Sequence, residues 1–247
     1  MRQTQILMGM PITVEVVDGA AASLIDAAFA YFAAVERRFS VFRPDSEISG
    51  LNDGRIAEDA VSAEMCEVLR IAERTRRDTC GYFDIRRPDG RLDPSGIVKG
   101  WAIRNAARMI ASGGAGNFLV DAGGDIQSQG RAANGEEWCI GIRNPFNEAE
   151  TIKAIRPRGR GVATSGTYVR GQHIYDPHRP ARPIEDIVSL TVIGADVLEA
   201  DRLATAAFAM GQDGIYFIEE FAGLEGYVIG ADGVATQTSG FKDYVVT

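Results

Sequence analysis

Histidine is almost missing from this chain of 247 residues: His173 and His178 are the only two, five positions apart. Cysteine is nearly as scarce. Cys66, Cys80 and Cys139 are odd in number, widely separated and free of any CxxC or Cys/His spacing, which excludes a zinc centre or a disulfide framework. They read as buried, reduced thiols, the pattern of a reducing compartment. Positive charge is in deficit: 26 Lys and Arg against 34 Asp and Glu give a net charge of −8. Such a surface repels a phosphate backbone, so no nucleic acid is expected as partner. No stretch approaches the roughly 20 continuous apolar residues of a membrane helix, so no membrane insertion is expected. The opening MRQTQILMGMPITVEV has no apolar run before a cleavage site; it reads as a strand rather than a signal peptide, and the expected location is cytoplasmic. Neither the GxxxxGK[ST] phosphate loop nor the GxGxxG dinucleotide fingerprint occurs. Internal repeats, low-complexity segments and obvious linkers are also missing.

What is present suffices for a core. The chain is 45% hydrophobic, enough to fill residues 1–247 as one compact, bilobed domain. Alternation over Thr4–Val17 predicts a strand. Leu24, Ala28, Phe32 and Val35 recur at helical spacing within Ala20–Arg38. Phe39–Asn52 reads as a loop or short strand. Ser62 is an N-cap for a helix running to Thr79. Lys99–Ser112 predicts a helix stopped by Gly113-Gly114. Strands are expected at 117–120, 138–143, 152–155, 161–164, 173–175, 187–193, 225–229, 234–237 and 244–246, with helices over 198–210 and 213–221. Hairpin-linked strands with interspersed helices define an α+β fold with mixed or antiparallel sheets.

Four short stretches carry chemistry. In Glu199-Ala-Asp-Arg-Leu-Ala-Thr205, Asp201 and Thr205 are four apart and share a helix face. A carboxylate and a hydroxyl so placed suit one hard cation, and equally suit a dipole-favoured Asp with a tolerated Thr. Asp93-Pro-Ser-Gly-Ile-Val-Lys99-Gly100 runs from a small-residue turn into a helix, either a phosphate cradle or an ordinary junction. Val120-Asp-Ala-Gly-Gly-Asp125 ends a strand in two glycines between aspartates, which serves a close ligand approach or a tight hairpin. Thr164-Ser165-Gly166 precedes His173 and Asp176-Pro177. A neutral imidazole there would accept a hydroxyl proton, or brace the turn through backbone hydrogen bonds. His178, after Pro177, reads as solvent-facing.

The order of these pieces resembles the ApbE family of FAD:protein FMN transferases. Met8-Gly9-Met10, Phe39-Ser-Val-Phe42 with Ser46-Glu-Ile-Ser49 and Leu51-Asn52, Gly81-Tyr-Phe-Asp84, Asp93 to Gly100, Ala122-Gly-Gly-Asp-Ile126, Ala163 to Tyr168, His173-Ile-Tyr-Asp-Pro177 and Asp201 to Thr205 follow the family's motifs through most of the chain. The resemblance implies transfer of the FMN half of FAD to a threonine hydroxyl of an acceptor protein, with Mg²⁺ required and AMP released. It implies that the Gly96 carbonyl, Asp201 and Thr205 hold the metal and that His173 deprotonates the acceptor. It places Phe42 over the isoalloxazine ring and Met8, Asp93, Lys99, Gly123, Gly124, Asp125, Thr164 and Ser165 in the flavin-binding motifs. Phe42 stands where tyrosine is commoner, and the segments 81–93 and 168–173 are short for the family. Two other activities fit the same residues: a Mg²⁺-dependent FAD pyrophosphatase yielding FMN and AMP, and a flavin-binding protein without turnover.

Overall fold

The computed structural model describes residues 1–166 and 174–246. The expected α+β class is borne out, and every strand pairing in the described sheets is antiparallel. The N-terminal strand expected over Thr4–Val17 is a hairpin, β1 (Arg2–Leu7) and β2 (Met10–Val16). Met8 and Gly9 turn it, both at positive φ (54° and 73°). Helix α1 (Ala21–Phe39) buries Ile25, Ala28, Phe29, Phe32, Val35 and Phe39, a stripe at 3- and 4-residue spacing.

The stretch expected as loop or strand holds α2 (Glu47–Asn52). Its N-cap, Ser46, accepts the Ser49 N–H at 3.2 Å and donates to the carbonyl of Ser40 at 2.7 Å. Helix α3 (Ala63–Asp78) is capped by Ser62 as expected, through the Met65 N–H at 3.2 Å. Helix α4 (Ser95–Ser112) begins four residues before the expected Lys99 and ends at Gly113. Strands β3 (Phe118–Ala122) and β4 (Asp125–Gln129) make the tight hairpin around Gly123-Gly124.

Next come β5 (Ile140–Asn144), β6 (Asn147–Ile155), β7 (Gly161–Gly166) and β8 (Ile187–Gly194). Helices α5 (Val197–Ala209) and α6 (Gly214–Glu220) precede β9 (Glu225–Gly230) and β10 (Ala235–Gln237). The strand expected over 173–175 is not formed by Ile174 and Tyr175, and His173 lies outside the described residues. The terminal strand expected over 244–246 is replaced by a 3-10 turn, Phe241–Tyr244, with a single bridge from Val245 to Ile155.

The main sheet has the order β1-β2-β3-β4-β7-β8-β9-β10, with strands paired in chain order although α1 to α4 are inserted between β2 and β3, the separate β5–β6 ribbon between β4 and β7, and α5 and α6 between β8 and β9. Helices pack on one face and the ribbon on the other. On the helical side Ile12, Val14, Val120, Phe32 and Trp101 form one apolar cluster, and Leu190, Val192, Leu203 and Phe208 form a second. On the ribbon side Ile126, Ile140, Ile142, Val162, Ile193 and Phe241 form a third. Strands β7 to β9 are therefore largely buried on both faces, so that in Ile187–Ile193 the polar Ser189 and Thr191 are buried along with their apolar neighbours. The three cysteines, expected to be buried, are all exposed. Among the described residues no helix is long and apolar enough to cross a membrane.

Candidate active site

A cleft of about 980 Å³ opens where the start of α4, the face of α5, the β3–β4 hairpin, β7 and the ribbon converge. That volume is within the range of ligand sites. It is lined by nine of the residues singled out from the sequence: Asp93, Gly96, Lys99, Gly123, Gly124, Thr164, Ser165, Asp201 and Thr205.

The floor is a cluster of buried charge. Lys99, one turn into α4, holds Nζ 2.5 Å from Asp125 Oδ2 and 3.3 Å from Asp201 Oδ1. Both carboxylates are almost fully buried, at 1% and 2% exposure. Asp125 Oδ1 also accepts the Thr164 N–H at 3.0 Å, so this one side chain ties the glycine hairpin, β7 and α4 together. Asp125 thus sits beneath the cleft wall rather than on it. Burial pushes the Asp201 carboxyl up to about 7; the Lys99 ammonium opposes this, and the nearby charge of Asp125 adds to it.

Helix α5 comes very close to α4 here. A Cβ on Gly100 would lie 2.9 Å from Asp201 Cβ and 3.0 Å from Leu198 Cα, so only glycine fits without a shift. The approach lets the Gly100 N–H donate to Asp201 Oδ2 at 2.9 Å. In a regular helix that N–H serves the carbonyl four residues back, Gly96. The Gly96 carbonyl therefore competes with a buried carboxylate for its donor. Gly96 is also walled in, since a Cβ there would meet Phe83 Cε2 at 2.9 Å and Thr205 Cγ2 at 3.8 Å. Thr205 Oγ1 donates to the Asp201 carbonyl at 3.0 Å, leaving lone pairs on the hydroxyl oxygen. An aspartate, a hydroxyl and a carbonyl at one helix crossing are the oxygen donors that a hard cation takes, so these residues fit Mg²⁺.

Supporting contacts explain several motif residues. Asn52 clasps Leu92 by two hydrogen bonds, Nδ2 to the Leu92 carbonyl at 2.9 Å and Leu92 N–H to Oδ1 at 2.7 Å, which anchors the approach to Asp93. Glu47 accepts from the Ser62 hydroxyl at 2.7 Å and pairs with Arg38 at 3.2 Å, fixing α2 to the starts and ends of its neighbours. His178, exposed as expected, is nonetheless engaged: its Nε2 is 3.0 Å from the Cys80 carbonyl oxygen and its ring stands edge-on to Tyr82 at 4.7 Å.

The other candidates fall elsewhere. Phe42 is 93% exposed on the turn before α2 and does not line the cleft. Met8 packs partly buried against the core, while its neighbours Gly9 and Met10 reach the cleft. The cleft also holds Asp121, Tyr175, Arg2 and Arg143, which the sequence did not single out. Asp121 lay inside a quoted motif; burial raises its carboxyl against the Gly124 N–H that it accepts at 2.8 Å. For Arg143 the available signal was the I-G-I-R alternation, which puts it on the face opposite two buried isoleucines.

Fold and site together define an α+β protein with a glycine-lined cleft over a buried Asp–Lys–Asp cluster at a helix start. The chain belongs to the ApbE family, whose model matches residues 8–87 and 85–228. It is 32% identical over 185 residues to the FAD:protein FMN transferase of Salmonella typhimurium, covering 69% of this chain and 53% of that protein. The FAD:protein FMN transferase of Escherichia coli is 31% identical over 179 residues, 67% of this chain and 51% of that one. The chain thus spans about half the length of the curated relatives it matches. Among solved structures it resembles the flavin transferase ApbE from Vibrio cholerae, with a TM-score of 0.86 at 25% identity over 99% of this chain and 98% of that one. The ApbE protein of Thermotoga maritima shares the fold at a TM-score of 0.87 and 22% identity, over 100% and 99% of the two chains.

Proposed function

We propose that this chain transfers the FMN half of FAD to a threonine hydroxyl of an acceptor protein, in a Mg²⁺-dependent reaction that releases AMP. The observation that carries this reading is the convergence of Gly96, Asp201 and Thr205 with the Gly123-Gly124 hairpin in one cleft. The family relationship to FAD:protein FMN transferases supports it.

The hydroxyl oxygen attacks the phosphorus on the FMN side of the diphosphate. A new P–O bond forms to threonine, the bond from that phosphorus to the bridging oxygen breaks, and AMP leaves with that oxygen. Such transfer needs alignment and charge neutralisation more than covalent help. Gly96, Asp201 and Thr205 would hold Mg²⁺, which when bound neutralises phosphate charge. Residues of the chain do the rest. At the start of α4 the Ser95 N–H is taken by Asp93 Oδ1 and those of Ile97 and Val98 by the Pro94 carbonyl, so it is the helix dipole rather than a row of free donors that favours anionic oxygen there. Gly123 and Gly124, without side chains, permit close backbone approach. Lys99 keeps two buried aspartates from repelling each other, which holds Asp201 in place. His173 takes the hydroxyl proton in this reading; its position is outside the described residues.

The test is to incubate the protein with FAD and Mg²⁺, with and without an acceptor carrying the target threonine, and to follow AMP and covalent flavin. AMP formed only with acceptor, in step with fluorescent acceptor, is expected. AMP formed equally without acceptor would make the chain a hydrolase, and no AMP in either case would make it a binder.

A further inference from the structure

Four cations line the cleft: Arg2, Arg87, Lys99 and Arg143. Three face carboxylates. Arg2 lies 3.9 Å from Glu15, Arg87 lies 3.9 Å from Asp89, and Lys99 is shared by Asp125 and Asp201. Among the described residues Arg143 has no carboxylate within ion-pair distance. Asp121, close enough for their charges to interact, sends Oδ1 to the Gly124 N–H instead.

The backbone directs Arg143 into this position. In β5, Ile140 and Ile142 are buried under the ribbon, while Gly141 and Arg143 take the opposite, exposed face. The ladder to β6 shifts register on both sides of Arg143. Such irregularities bend a strand and re-aim a side chain, and they recur beside active sites. A Cβ on Gly141 would meet Thr151 Cγ2 at 2.9 Å, so any side chain there would require Thr151 to shift. Of the two residues on that face, only Arg143 has one to offer.

Charge balance shows why a cation is needed there. Asp125, Lys99 and Asp201 together carry one unit of negative charge when ionised. A divalent cation turns that into one unit of positive charge, and a dinucleotide's diphosphate brings two units of negative charge. One unit of negative charge is left over from this floor group, and on the walls Asp84, Asp93 and Asp121 outnumber Arg2 and Arg87, in a partly enclosed site where charge is costly.

We propose that Arg143 is a substrate-specificity residue whose guanidinium pairs with the diphosphate of the dinucleotide in the cleft. This rests on the proposed flavin-transfer reading and deepens it. Because guanidinium matches phosphate oxygens in a two-pronged fashion, lysine should serve only in part.

The test measures equilibrium binding of FAD, ADP and riboflavin, with Mg²⁺ present, to wild type, Arg143→Gln and Arg143→Lys, together with their melting temperatures. Arg143→Gln should weaken FAD and ADP about 10–100-fold, as expected for loss of a charged hydrogen bond. Riboflavin affinity and melting temperature should not change, and Arg143→Lys should recover part of the loss. If wild type binds FAD and Arg143→Gln binds it equally well, the assignment is wrong while the proposed function stands. If riboflavin weakens in parallel with FAD, Arg143 acts on the ring system or the cleft wall, and the proposal fails. If wild type binds neither FAD nor riboflavin, both readings fall.

Discussion

Asp201 is a carboxylate that folding removes from water, and its titration should be visible in the stability of the metal-free protein. Unfolded aspartate titrates near ~3.9, whereas burial raises the folded group to about 7. Between those values the folded chain keeps a proton that the unfolded chain has lost. Stability should therefore fall as pH rises from about 4 to about 7. Asp201→Asn cannot titrate, so its urea midpoints, taken in chelator across this window, should follow a flatter course; an unchanged slope would remove Asp201 as the source. The two histidines divide differently. His173→Ala should keep FAD binding and lose about 10²–10⁴-fold in turnover, the usual contribution of a general base. The alkaline rise of the rate through about 6–7 should vanish with it. His178→Ala should keep that rise and lower the melting temperature slightly, because its ring contacts the Cys80 carbonyl and Tyr82. Equal loss of turnover in both variants would mean that the loop, not a base, had been damaged. At this scale the motifs named residues but not their depth. Asp125 and Thr164 were grouped as ligand contacts, yet only a folded chain shows that one lies under the other.

Elements were legible where one strong periodicity governed them and illegible where local chemistry competed. The stripe of α1 and the Ser62 cap of α3 were plain in the sequence. Helix α2 was not, because Ser, Gly and Asn favour turns, and its stability comes from Ser46 and Glu47 bonding outward. The β1–β2 turn was hidden because Met8 takes a positive φ that a non-glycine residue seldom adopts. The first turn of α4 was missed because Pro94, Ser95 and Gly96 look like loop residues; proline is tolerated at a helix start. The crossing of α4 and α5 yields its own prediction. Gly100→Ala improves intrinsic helix propensity by about 1 kcal/mol. The added methyl, however, meets Leu198 Cα at 3.0 Å, a backbone atom that cannot rotate away. Overpacking of this kind costs roughly 1–3 kcal/mol, so the clash should win and the melting temperature should drop. A higher melting temperature in Gly100→Ala would show that α5 yields freely and that the close approach is not needed for Asp201's placement.

At the scale of the whole molecule, the cleft is assembled from segments far apart in sequence. Its walls run from Arg2 and the β1–β2 turn through the Tyr82–Pro88 stretch, α4, the glycine hairpin, the ribbon, β7 and α5. No single segment could be recognised as the site; the order of the motifs indicated it, and their convergence gives that order a physical meaning. A ligand seated there touches elements from both helical-side clusters and from the ribbon, so its binding energy opposes separation of all of them. FAD at a hundred times its Kd should add ~2.7 kcal/mol to the folding free energy. For a chain of this length each kcal/mol moves Tm by about 2–4 °C, so a rise of roughly 5–11 °C is expected with FAD and Mg²⁺ together. Mg²⁺ alone should stabilise wild type less, and Asp201→Ala still less, because the charged donor to the cation is gone. The control is riboflavin, which lacks the diphosphate and should give a smaller shift than FAD at the same concentration. A thermal unfolding curve that FAD leaves in place at saturating concentration, with or without Mg²⁺, would mean that the cleft does not take the dinucleotide.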